Sequence, residues 1–105
     1  MDLLKVYKNN RIIEKIMENL FLYNRFDNVY LFGSILSNVK MNIMDIDILL
    51  IYDFFSDDIL HSVDNIKVTL KDITGYDIDL TVLSTNELDE LHFLEKLDNK
   101  YLKIK

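Results

Sequence analysis

The chain holds 105 residues, 50% hydrophobic and 29% charged, enough apolar side chain to fill a core, and wholesale disorder is excluded. Cysteine is absent, which excludes disulfide staples and thiolate metal sites and makes a reducing cytoplasm the expected compartment. Twelve Lys and Arg against 18 Asp and Glu leave a net charge of −6. That sign repels nucleic acid backbones, so no direct nucleic-acid binding is expected, while a basic protein partner or a nucleotide bridged by divalent cations remains compatible.

The longest unbroken apolar stretch, Ile48 to Tyr52, falls far short of the ~20 residues that cross a bilayer, and no membrane association is expected. Met1-Asp2-Leu3-Leu4-Lys5 lacks a basic region followed by an apolar one, so no secretory leader is expected either. With two glycines and no proline there is little punctuation, and one domain over residues 1–105 is the natural reading.

The segment Leu3 to Leu20 predicts an amphipathic helix, its apolar positions Val6, Ile12, Ile13, Ile16, Met17 and Leu20 falling near a 3.6-residue period. Asn28 to Phe32 is a short strand ended by Gly33-Ser34, and Asp45 to Tyr52 is a second, strongly apolar strand that opens with alternating carboxylates. Ser56-Asp57-Asp58 reads as a helix start; Ile59, Leu60, Val63, Ile66, Leu70 and Ile73 continue one face, and Gly75 stands where a left-handed cap is wanted. Asp77 to Leu83 is a third strand. Ser84-Thr85-Asn86-Glu87 matches a capping box ahead of a last helix carrying Leu88, Leu91, Leu94 and Leu97. Lys100 to Lys105 reads as a basic tail that frays or ends that helix, and Phe54-Phe55 as packing beneath the helix that follows. The expected fold class is α/β (α+β): a small mixed sheet with flanking helices.

Chemistry concentrates around Gly33-Ser34 and the acids that follow ten residues later. Alternate residues of a strand share a face, so Asp45 and Asp47 project together about 6.6 Å apart. Two carboxylates on one face of an apolar strand repel each other and lose hydration, a conflict that a Mg²⁺ ion with oxygen ligands removes. A glycine directly after a strand lets the backbone turn sharply and approach a ligand, and the serine hydroxyl with the free N–H groups of the turn can hold phosphate oxygens. Taken singly, Gly33-Ser34 is also an ordinary turn with Ser34 as helix cap. Asp77 and Asp79 again share a face, and either brought beside Asp45 and Asp47 would supply a third carboxylate able to bridge a metal and take a proton from a hydroxyl. His61 and His92 have no second His or Cys nearby and read as helix surface, and Met17, Met41 and Met44 read as gap-fillers.

Phe32-Gly33-Ser34, a ten-residue spacer and Asp45-Ile46-Asp47 within an apolar strand, with a third acid on a later strand, resemble the signature of the DNA polymerase β-like nucleotidyltransferase superfamily. The resemblance is to its minimal, free-standing nucleotidyltransferase (MNT) members and runs from about Val29 to Leu83. Asp79, at the head of Leu80-Thr81-Val82-Leu83, aligns best with the third acid, and Asp77 is the fallback. Two departures stand out: relatives often follow Gly-Ser with an Arg-rich turn, where this chain has Ile35-Leu36-Ser37-Asn38 with Lys40 the nearest cation, and often carry Ser before the first Asp, where it has Met44.

The resemblance implies transfer of AMP, or another nucleoside monophosphate, from ATP or another nucleoside triphosphate to a hydroxyl, with release of pyrophosphate. Gly33 and Ser34 would hold the triphosphate, Asp45 and Asp47 would bind Mg²⁺, and Asp79 would complete the metal site and deprotonate the acceptor. It further implies an antitoxin that adenylylates a small helical HEPN-type toxin. The alternatives are a transferase acting on a small hydroxyl compound and a non-catalytic antitoxin that silences its partner by contact.

Overall fold

The computed structural model describes residues 10–36 and 45–105. Four strands form one mixed sheet: β1 (Asn28–Phe32), β2 (Asp45–Tyr52), β3 (Asp77–Ser84) and β4 (Tyr101–Lys103), in the order β3-β2-β1-β4. β1 is antiparallel to β2 and β4, whereas β2 and β3 are parallel. A parallel neighbour demands a crossover, which α2 (Asp57–Thr74) supplies. α1 (Asn10–Glu18) precedes the sheet, and α3 (Thr85–Leu91) and α4 (Phe93–Lys96) stand between β3 and β4.

Strand alternation divides the apolar residues between two faces. Val29, Leu31, Ile46, Ile48, Leu50 and Ile78 pack with Ile13 and Ile16 of α1 and Ile59, Ile66 and Leu70 of α2. On the other face Leu49, Ile51 and Leu83 pack with Tyr30, Phe32, Leu88, Phe93 and Leu94. β2 is therefore buried on both sides from Ile48 to Ile51, which is why its sequence reads as a continuous apolar run. Asp45 at its head is exposed and Asp47 half-buried.

The locally signalled features form as expected. Gly75 closes α2 in the left-handed region (φ 78°), and its N–H donates to the Lys71 carbonyl at 2.8 Å. The Ser84–Glu87 capping box is made in both directions, at 2.9 and 3.1 Å. Ser56 is extended at the head of α2, but its side chain makes no capping bond.

Four expectations need correction. The first helix ends at Glu18, and Leu20 lies instead on a 3₁₀ turn (Leu20–Tyr23) tied by the Tyr23 hydroxyl to the Ile16 carbonyl at 3.0 Å. Its expected head, including Val6, and the spacer residues Lys40, Met41 and Met44 lie outside the described residues. The last helix is broken at His92, which takes a left-handed conformation (φ 50°) and turns Phe93 edge-on to Phe32, ring centroids 5.6 Å apart. The basic tail does not fray. Tyr101 stacks on Tyr30, Ile104 is buried, and Lys105 Nζ donates to the carbonyls of Tyr23 and Phe26 at 3.0 and 2.7 Å. Phe54 and Phe55, finally, are 89% and 58% exposed rather than packed under α2. The Asp53 N–H is held by the Asp27 carboxylate at 2.8 Å and its own carboxylate accepts from the Thr85 hydroxyl, so the loop leaves the sheet outward before α2 begins.

Candidate active site

Parallel pairing of β2 and β3 sets their two Asp-x-Asp pairs side by side. Asp45 is level with Asp77 and Asp47 with Asp79, so four carboxylates form a ladder at the strands' leading ends, on the face shared with Leu49 and Leu83. The sequence put Asp79 first as the third acid and Asp77 as the fallback; strand register gives the two different neighbours. Asp79 is the neighbour of Asp47 and shares a side-chain hydrogen bond with it. Asp77 is taken by Lys71, whose ammonium lies 2.8 Å from Oδ1 and holds that carboxyl below the usual carboxylate range.

Asp47 is the perturbed member. Burial, then the charge of Asp79, the hydrogen bond to Asp79 and the charge of Asp45 push its pKa from 3.8 up to about 6. The burial has a visible source in the register. Asp47 is paired with Phe32 of β1, on the same face, and Phe32 carries Phe93 against it. The two acids stand side by side across the parallel strands, and the hydrogen bond between them favours the protonated form of Asp47.

Gly33 follows Phe32 directly and so lies next to Asp47. It has φ 80°, a region L side chains rarely adopt, and a Cβ built there would collide with Asp47 Oδ2. The glycine is thus required twice over: by backbone conformation and by the carboxylate packed on its α-carbon. Ser34 is half-buried in the 3₁₀ turn Gly33–Leu36, next to that contact. Of the five residues singled out from sequence, Gly33, Asp47 and Asp79 meet directly, Ser34 adjoins them, and Asp45 heads the same face one step along β2.

A hard divalent cation matches this donor set in kind: carboxylate oxygens crowded enough to raise the pKa of Asp47, a crowding that a bound cation relieves. The set is not a closed cage, since no group of three or more His, Cys, Asp or Glu side chains among the described residues stands close enough to hold a metal ion as it is. Asp45, Asp47 and Asp79 are the residues that would hold such an ion. His61 and His92 are exposed and remote in sequence from the ladder.

Sequence reasoning missed two contributors. Phe93 reaches the site because His92 breaks the helix, for which the sequence carries no signal. Lys71 had one: it lies six residues before Asp77, in the last turn of a helix that Gly75 turns back onto the strand.

No known family profile matches the chain, and no curated protein matches it in sequence. Among solved structures it is similar to a chain of a mutant MntA–HpeT toxin–antitoxin complex, in which two aspartates two positions apart are changed to glutamate. The TM-score is 0.55 at 17% identity, over 93% of this chain and 73% of that one. A complex of tri-AMPylated Shewanella oneidensis HEPN toxin with MNT antitoxin aligns with a TM-score of 0.49 at 20% identity, over 92% of this chain and 68% of that one. The chain accordingly has the nucleotidyltransferase fold of MntA, a small mixed four-stranded sheet with flanking helices.

Proposed function

We propose that this chain is a Mg²⁺-dependent nucleotidyltransferase that moves AMP, or another nucleoside monophosphate, from a nucleoside triphosphate to a hydroxyl on a protein partner, and that it acts as an antitoxin on a small helical HEPN-type toxin. The observation that carries this reading is the Asp47–Asp79 carboxyl pair, met across parallel strands with the Gly33 α-carbon packed against it. An ordinary surface has no reason to gather like charges beside a bare backbone; a site that takes up a cation and a polyphosphate has. The fold neighbour is a toxin–antitoxin complex, which supports the choice of a protein acceptor.

In this reading the Gly33-Ser34 turn receives the triphosphate with its N–H groups and the Ser34 hydroxyl. Asp45, Asp47 and Asp79 would hold Mg²⁺, which when bound offsets charge between carboxylates and phosphates and polarises the phosphoryl oxygens. The acceptor oxygen forms its bond to the α-phosphorus as the bond to the β-phosphate oxygen breaks and pyrophosphate leaves. Asp79 takes the acceptor's proton. Asp77, neutralised by Lys71, stays outside this chemistry.

Incubation with α-labelled ATP, Mg²⁺ and the co-purified partner tests the reading. The partner is expected to carry label, and Asp45→Asn or Asp79→Asn to reduce it at least a hundredfold, the range over which acid–base groups contribute. A labelled small molecule with an unlabelled partner would move the acceptor to a small hydroxyl compound. A partner silenced without any label, by native chain and variants alike, would replace transfer by contact inhibition.

A further inference from the structure

We propose that Lys71 and Lys67 form an anion-receiving subsite on the acceptor side of the carboxylate ladder, holding an oxyanion that flanks the hydroxyl to be modified. This rests on the transfer reading above. Strand order sets the groups of the site in one line: Gly33 and Ser34 at the end of β1, Asp45 and Asp47 on β2, and Asp77 and Asp79 on β3. With the triphosphate at the Gly33-Ser34 end of that line, the acceptor enters at the Asp79 end. Lys71 and Lys67 flank that end.

β3 is the edge strand of the sheet, and α2 packs on the face opposite the carboxylates. From the last turn of α2 the Lys71 ammonium reaches round this edge to Asp77 Oδ1 at 2.8 Å. Lys67, one turn earlier, stands on the same side of the helix as Lys71. Four carboxylates make the face hostile to any anion, so the two lysines decide where an anionic acceptor group can lie. Lys71 is free to serve: an ammonium has three donors, and Asp77 takes one. Both partners of that ion pair are exposed, at 62% and 68%, and exposed pairs exchange at little cost. The oxyanion has two possible sources. A carboxylate beside the acceptor hydroxyl would bring an acidic protein segment into register, and the phosphodiester of a nucleotide already attached would favour repeated addition.

The experiment measures binding to the full chain carrying Asp47→Asn, without Mg²⁺, so that transfer is silent. Three probes are titrated and followed by NMR of the lysine side-chain methylenes: a tyrosyl peptide flanked by Glu, the same peptide flanked by Gln, and 5′-AMP. The Glu peptide, 5′-AMP or both are expected to shift the Lys67 and Lys71 signals, and the Gln peptide not to. Lys67→Gln combined with Lys71→Gln is expected to raise Kd about tenfold or more, the worth of a charge-assisted hydrogen bond, and Lys71→Arg to restore binding. A response to the Glu peptide alone assigns the oxyanion to the acceptor protein, and one to 5′-AMP alone assigns it to an attached nucleotide. Equal binding of the Glu and Gln peptides without a response to 5′-AMP, an unchanged Kd in the double lysine variant, or shifts of equal size at Lys15 and Lys96 would overturn the proposal. The two readings fail separately. A native chain that labels no partner yet binds the probes through these lysines loses transfer and keeps the subsite, and one that labels its partner with no dependence on them does the reverse.

Discussion

Asp47 carries the main electrostatic conflict of the sheet, half-buried and pressed against a second carboxyl. Its pKa of about 6 in the folded chain lies above the ordinary 3.8, so between those values the folded state binds a proton that the unfolded state has released. The contribution of this group is then most favourable below about pH 4 and is lost as pH rises through about 6, a cost that persists at neutrality. Asp47→Asn removes it. The variant is expected to exceed the native chain in stability near neutral pH by on the order of 1 kcal/mol, less than the full shift implies because the carboxyl is partly open to water. It is also expected to lose the decline between about pH 4 and 6. Urea unfolding at both ends of the window measures this, and a native chain with flat stability across it would refute the like-charge account. Gly33→Ala acts in the opposite direction. A left-handed φ costs an L residue about 1–2 kcal/mol, and the new methyl meets Asp47 Oδ2, so both thermal stability and partner labelling should fall. Both carboxylate pairs were legible in the sequence because same-face spacing along a strand is local. That Asp79 rather than Asp77 stands beside Asp47 was suggested by the resemblance alone and not by local pattern, since it depends on the register of two strands joined by an 18-residue helix.

The elements divide in the same way. Gly75 and the Ser84–Glu87 box were readable because a cap uses only residues within one turn of itself. The break at His92 has no glycine or proline to announce it; it accompanies the packing of Phe93 on Phe32. β4 was hidden for a related reason. Its three residues become a strand only because β1 offers a free edge, and the alternation of Tyr101, Leu102 and Ile104 acquires meaning once Tyr30 and the main core lie on either side. Two substitutions separate local from tertiary contributions. Ser84→Ala removes one capping bond and should cost about 1 kcal/mol. Ile104→Ala empties a buried site at the seam where Val29 exchanges hydrogen bonds with Ile104 and Lys105, and should cost about 2–5 kcal/mol. Equal losses in chemical denaturation would mean that the tail is an appendage rather than a strand of the sheet.

At the scale of the molecule the two faces of the sheet are unequally closed. α1 and α2 cover one, while among the described residues α3 and α4 cover the other over Leu49, Ile51, Leu83 and Phe32 and leave Asp45, Asp77 and Asp79 exposed. A chain of net charge −6 thus gathers four acids at one place, where Lys71 pairs with Asp77 at 2.8 Å. Such an arrangement persists when something that binds only the folded state offsets its cost, and a ligand at ten times its Kd stabilises by about 1.4 kcal/mol. For a domain of this size that corresponds to a rise in Tm of about 5–10 °C. Mg²⁺ is therefore expected to raise the Tm of the native chain above neutral pH and to do so less as pH falls through about 6, where Asp47 regains its proton. In Asp47→Asn combined with Asp79→Asn the rise should vanish at every pH, although without Mg²⁺ that variant starts from the higher Tm. Scanning calorimetry with Mg²⁺ or EDTA gives both numbers in one series. A Tm indifferent to Mg²⁺ in the native chain, or raised equally in the variant, would mean that the carboxylate pair holds no cation and that its repulsion serves some other end.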